Sequence, residues 1–174
     1  MRIFLFSLFC ALATTAFAAE DTFKAGAFTF QKPASFKVKA TPPGGMRAAQ
    51  LEVPGTDGKL SGEAIFFYFG QGQGGGTQAN VDRWLAAFQE PKDKLNSKVE
   101  KKKAGSGEVT YVEAEGTYMS GMPGGPRTPQ AGSKLLGAIL ESPEGNVFVR
   151  LTGPAATVKG ADADFRKMIE SAFK

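Results

Sequence analysis

The chain has 174 residues, 42% of them hydrophobic and 22% charged, with a formal net charge of +4, no histidine and one cysteine. That balance is typical of an ordinary globular domain; it excludes a disordered chain and lacks the clustered Lys/Arg footprint of a nucleic-acid binder. Without histidine the commonest general base and metal ligand are missing, so neither a metal nor a cofactor is expected, and most hydrolase templates fall away.

Met1-Arg2, the apolar run from Ile3 to Ala13, and Ala16-Phe17-Ala18 ahead of Glu20-Asp21 follow the order of a secretory signal. A signal peptide over residues 1–18 and one globular domain over 19–174 are therefore expected, in the periplasm or outside the cell. The apolar run is shorter than the roughly 20 residues of a membrane-spanning helix, so no stable membrane insertion is expected after cleavage. Cys10 lies within the signal and follows the bulky Phe9, which argues against lipidation. The exported domain then has no disulfide available and depends on a packed core, for which about 155 residues suffice.

Residues 27–30 and 36–39 read as short strands, interrupted by Pro33. Residues 46–53 and 63–69 form a predicted hairpin around Pro54-Gly55 and Asp57-Gly58. In Ala64-Ile65-Phe66-Phe67-Tyr68-Phe69 both alternating sets are apolar, which predicts a strand inside the sheet, covered on both faces. Val81, Trp84, Leu85 and Phe88 then fall at helical spacing, predicting an amphipathic helix over about 77–89 with Thr77 as its N-cap. Residues 97–103 and 108–118 read as a hairpin around Gly105-Ser106, whereas 119–132, rich in Gly and Pro, reads as a long exposed loop. A further hairpin, 134–142 with 146–152, turns at Pro143-Glu144-Gly145. Phe165, Met168, Ile169 and Ala172 predict a closing helix over 162–173. The fold class expected is α+β, a central, mainly antiparallel sheet flanked by two amphipathic helices.

Phe67 to Gly75, Ala79-Asn80-Val81-Asp82-Arg83-Trp84, Leu136 to Glu141 and Leu151-Thr152-Gly153-Pro154 resemble a family of uncharacterised exported bacterial proteins. The element order is similar to that of the Mog1/PsbP-like fold. This resemblance implies an α/β/α sandwich and carries over no catalytic residues. Members of that fold include photosystem accessory subunits and a regulator of a small GTPase, so fold alone does not choose a function.

Three groups of residues invite a functional reading. Gly72, Gly74, Gly75, Gly76 and Thr77 join a buried strand to a helix whose free amides could receive an anion, with Asn80 and Arg83 on less apolar sides nearby. Gly70, Gly72 and Gly75 also match G-x-G-x-x-G, but the antiparallel hairpins that follow do not supply the parallel unit a dinucleotide site needs. A flexible connection explains the glycines as well. Met119, Met122 and Arg127 belong to the Gly/Pro-rich segment, which could form a partner-binding tip. Glu63, Glu113 and Glu115 are the carboxylates available to an enzyme, although pairing of Glu113 and Glu115 with Lys101 and Lys103 across a hairpin is the simpler account. Trp84, on the apolar stripe, reads as core. The expectation is a noncatalytic binding or accessory module of the cell envelope, contacting an envelope protein or a small anionic ligand. An enzyme using carboxylate, lysine or backbone groups and a purely structural envelope domain are the alternatives.

Overall fold

In the computed structural model, which describes residues 21–55, 58, 60–121 and 125–174, the sheet is organised around β9 (Val147–Pro154). Val147, Val149 and Leu151 point to one face and Phe148 to the other, and all four are buried. The remaining strands are β1 (Thr22–Ala25), β2 (Phe28–Gln31), β3 (Lys37–Lys39), β4 (Arg47–Val53), β5 (Gly62–Tyr68), β6 (Asn96–Ala104), β7 (Gly107–Ser120) and β8 (Thr128–Leu140). The helices are α1 (Thr77–Leu85), α2 (Ala155–Gly160) and α3 (Asp162–Ser171). The order across the seven-stranded sheet is β3-β4-β5-β9-β8-β7-β6, with every neighbouring pair antiparallel, and β1 and β2 form a separate hairpin. The protein is thus α+β with a mainly antiparallel sheet, and β5 is an interior strand, as its apolar run requires. The proposed signal, residues 1–18, lies outside the described residues.

Two apolar clusters hold the sheet, one on each face. Phe28 and Phe30 from the hairpin, Val158 from α2, and Phe165, Met168 and Ile169 from α3 pack on Phe66, Ala138, Val149 and Leu151. On the opposite face Val81, Trp84 and Leu85 of α1 and Phe88 after its end pack on Val112, Leu135, Ile139 and Phe148. Each such fully buried side chain contributes about 1.5–3 kcal/mol, so the stability of a protein without disulfides in this region rests here. Trp84 is a core residue, 5% exposed, lying against the backbone of Gly137.

Several sequence expectations are corrected. Residues 119–132 are not one long loop: β7 and β8 continue to the pair Ser120↔Thr128, with a bulge between Gly116 and Tyr118. This two-stranded ribbon outruns β6, whose pairing stops at Asn96↔Glu115, and β9, whose pairing stops at Ser133↔Pro154. Its β8 edge is therefore unpaired beyond Ser133, which is where a ladder tolerates Pro129, whereas its β7 edge is bridged by the segment after α1, with Gln89 N donating to Thr117 O and Met119 N to Ala87 O. β1 and α2 are additional elements; β1 is a four-residue strand with exposed alternate positions, and α2 is six residues, both too short for a periodic signal. The two-residue turn at Gly105-Ser106 sets Lys98 opposite Glu113, Lys101 opposite Thr110 and Lys103 opposite Glu108. Glu113 instead bonds Lys134 and Arg166, and Glu115 bonds Lys159. Thr77 is not the N-cap of α1: Gly76 holds that position in extended geometry, and the Thr77 hydroxyl donates to the Glu141 carboxylate.

Candidate functional site

The glycine connection between β5 and α1 is an ordered turn with its own side-chain staple. Gly72, Gly74 and Gly75 have φ of +69°, +85° and +81°, values open to glycine, and a Cβ on Gly74 would come within 2.8 Å of Phe69 and Phe148 atoms. Asn80 is 2% exposed, in contrast to the wet helix position its polarity suggests. Its Nδ2 donates to the carbonyls of Gly74 and Gly76, both at 3.0 Å, and its Oδ1 accepts from Arg83 Nη1 at 3.0 Å. The amide faces back onto the loop because Asn80 sits one turn after Gly76. The carboxylate of Glu141 stands beside Thr77 at the start of α1, where the helix dipole favours negative charge. Gly72, Gly74, Gly75, Gly76, Thr77, Asn80 and Arg83 are thus brought together, with Asn80, Arg83 and Thr77 already engaged within the chain.

The second predicted group is divided. Met119 is a half-buried residue of β7, paired with Pro129, and Arg127 is exposed just before β8. Met122 lies outside the described residues. The three carboxylates do not share a site either. Glu113 and Glu115 face α2 and α3, where they are held by Arg166, Lys134 and Lys159. Burial pushes the Glu113 carboxyl up, but the Lys134 hydrogen bond, with the charges of Lys134, Arg166 and Lys98, outweighs it and holds the group below the usual carboxylate range. Tyr111, beside Arg166, is pushed up to about 12, chiefly by burial. Glu63 lies on the other face of the sheet.

That other face carries a feature that the sequence reading did not assemble. Beyond α1 and the following segment, which adds Phe88 and Leu95, no helix among the described residues covers this face, and a groove of about 890 Å³ runs over β4, β5, β9 and the β7–β8 ribbon. Its wall and floor include Glu63, Ile65, Tyr118, Ser133, Arg150 and Thr152. Strand alternation dictates the membership: Glu63 and Ile65 pair with Thr152 and Arg150 in the β5–β9 ladder, and all four side chains leave by the face opposite Ala64, Phe66 and Leu151. A register shift between Arg47 and Ala49 brings Arg47 to the same rim.

The charges in the groove are unequally satisfied. Glu63 Oε1 accepts from Gln50 Nε2 at 2.5 Å and from Lys39 Nζ at 3.3 Å, and Arg47 Nη1 donates to Gln50 Oε1 at 2.9 Å. Gln50, 7% exposed, thereby fixes Glu63 against β4. Arg150 has no such partner among the described residues. Its guanidinium carbon lies 6.0 Å from the Phe67 ring centre and 5.9 Å from that of Tyr118. Its Nε is sealed from solvent without an acceptor among the described residues. A partly buried cation held between two aromatic rings and facing an open groove is equipped to receive an anion. The signal was present in the sequence as Val147-Phe148-Val149-Arg150-Leu151, a permanent charge inside an otherwise apolar strand. Its partnerless state required the structure.

No protein-family model matches the chain, and no curated protein matches it. Among solved structures it is similar to a Pseudomonas aeruginosa protein of unknown function, PA94, with a TM-score of 0.45 and 8% identity over 86% of this chain and 93% of that one.

Proposed function

We propose that the protein is a noncatalytic binding module of the cell envelope and that its ligand lies in the groove over β5, β9 and the β7–β8 ribbon. The observation that carries the reading is the open groove with Arg150 on it, a cation that no carboxylate of the described residues neutralises. The separation of Glu63 from Glu113 and Glu115 on opposite faces supports binding over a paired-carboxylate chemistry. Helices on both faces of an antiparallel sheet support a Mog1/PsbP-like α/β/α sandwich as the finer description of the fold. The signal-like start, residues 1–18, supports export to the periplasm or beyond, with an envelope protein or a small anionic molecule as the partner.

The test is thermal unfolding of the purified protein with D-glucose, D-glucuronate, L-glutamate and inorganic phosphate, beside a variant whose groove is filled, Thr152→Trp. A ligand at a hundred times its Kd adds about 2.7 kcal/mol of stability, a readable shift. A shift in the wild type that the folded variant lacks supports the groove. A shift equal in both proteins, or a Thr152→Trp variant that fully restores a deletion strain, refutes it. Export is tested separately by fusing residues 1–18 to a reporter active only outside the cytoplasm; retention of the reporter in the cytoplasm refutes that part.

A further inference from the structure

We propose that the groove recognises a small ligand with one carboxylate and separate hydroxyl or ammonium donors, that Arg150 anchors the carboxylate, and that Glu63 receives a donor from the rest of the ligand. This inference rests on the groove being the binding site and adds the chemistry of its occupant.

The charge inventory selects the anion. The groove is lined by the cations Lys39, Arg47 and Arg150 and the carboxylates Glu52 and Glu63, leaving one net positive charge. Lys39 is already paired with Glu63, and Arg47 is bonded to the neutral Gln50. Arg47 therefore keeps its charge but not a free Nη1 donor, whereas Arg150 has neither a charged nor a neutral acceptor for its Nε among the described residues. A single carboxylate matches the Arg150 charge, whereas a phosphate near pH 7 brings about −1.5 to −2 charges and would meet repulsion from Glu52 and Glu63. The guanidinium is planar, always charged and weakly hydrated, and its forked donors fit a carboxylate with two parallel bonds. Phe67 and Tyr118 flank it at 6.0 and 5.9 Å, which narrows the side-chain freedom lost when the anion arrives.

The remainder of the groove selects the rest of the ligand. Gln50 and Lys39 both bond Oε1 of Glu63, so Oε2 has no partner among the described residues and remains an acceptor for a hydroxyl or ammonium group. Thr152 stands opposite Glu63 in the ladder, and Ser120 and Gln130 add polar contacts at the ribbon. A fatty acid would leave these groups unsatisfied, and burying them against an alkyl chain is unfavourable. A uronic acid or an amino acid satisfies both ends. The volume of about 890 Å³ lies within the range of small-ligand sites.

The experiment is NMR titration of the ¹⁵N-labelled protein with D-glucuronate, L-glutamate, D-glucose and inorganic phosphate, following the Arg150 Nε–H resonance and the amides of Thr152 and Ser133. The expected result is a saturable shift of all three signals with D-glucuronate or L-glutamate, and Kd for D-glucose and phosphate weaker by about ten-fold or more. Arg150→Gln should weaken carboxylate binding by about ten-fold or more while the spectrum stays folded; Arg150→Lys, which keeps the charge and loses the fork, should fall between. Glu63→Gln should weaken D-glucuronate while sparing acetate, which carries no second donor. Saturable binding of D-glucose that Thr152→Trp abolishes, without carboxylate binding, would overturn this inference and leave the groove as a site. Absence of a saturable shift with every probe, phosphate binding as tight as that of the carboxylates, or an Arg150→Gln variant with unchanged Kd overturns it.

Discussion

Replacing Arg150 by methionine should stabilise the ligand-free protein, the opposite of what removing a half-buried side chain usually does. Arg150 Nε is sealed from solvent without an acceptor, and a buried donor in this state costs about 1–3 kcal/mol. Against that stand two cation–π contacts at 5.9 and 6.0 Å, close to the outer limit of about 6 Å, which return only about 0.5 kcal/mol each. Methionine is unbranched, fills the slot between Phe67 and Tyr118 with an apolar thioether, and retains favourable contact with both rings. The net expectation is a gain of about 1 kcal/mol, or 2–4 °C in Tm for a chain of this size. Equilibrium urea unfolding followed by fluorescence of Trp84, the single tryptophan of the chain, measures it. A loss of stability of 1 kcal/mol or more would show that Arg150 is a structural residue and that its charge is met within the fold, and the argument for an anion site would fail with it.

Gly137→Ala should lower stability by about 2 kcal/mol, because the added Cβ would lie 2.3 Å from Trp84 Cζ3 and the indole, 5% exposed, has little room to retreat; combining it with Trp84→Leu should recover part of the loss in the same urea assay. Asn80→Ala removes the donors to Gly74 and Gly76 and should cost about 2 kcal/mol, with faster hydrogen exchange confined to residues 70–77 as the diagnostic readout. Glu113→Gln should cost about 2 kcal/mol at pH 7, since Lys134 and Arg166, 13% and 21% exposed, lose their shared carboxylate. The pH dependence has a fixed sign. The carboxyl of Glu113 is held below its ordinary value of 4.5, so its contribution is complete above that pH and is lost as the pH falls through the lower folded value. The stability difference between wild type and Glu113→Gln should therefore narrow below pH 4.5, and a constant difference down to acid unfolding would refute the ion-pair account.

The scaffold was largely legible because its signals are local. Ala64 to Phe69 announced an interior strand, and Val81, Trp84, Leu85 and Phe88 announced the stripe of α1. The β7–β8 ribbon was not, because Pro129 and Gly132 signal a loop wherever a strand has paired neighbours, and only the length of β9 reveals that the β8 edge is free there. Asn80 was misplaced for a related reason: its burial depends on loop carbonyls that its position on a helical wheel does not represent. The groove was harder still. Glu63, Tyr118 and Arg150 come from three strands, and their common face follows only from register.

Why that face is bare follows from the dimensions of its cover. Among the described residues, α1, nine residues and about 13 Å long, and the segment after it with Phe88 and Leu95 cover only part of a sheet whose seven strands, spaced by about 4.8 Å, span roughly 29 Å. The opposite face is closed by α2, α3 and the β1–β2 hairpin together. An uncovered sheet face is normally made safe by polar, mutually paired side chains, and Gln50, Glu63 and Lys39 follow that rule. Arg150 departs from it at the strand where the two apolar clusters meet. Solvation alone would be served by any polar residue with an exposed head; a sealed Nε and a guanidinium flanked by Phe67 and Tyr118 serve it poorly. On the reading proposed above, an anion entering the groove would give the guanidinium an acceptor at its Nη groups, and that gain would connect the incomplete cover of the sheet to binding.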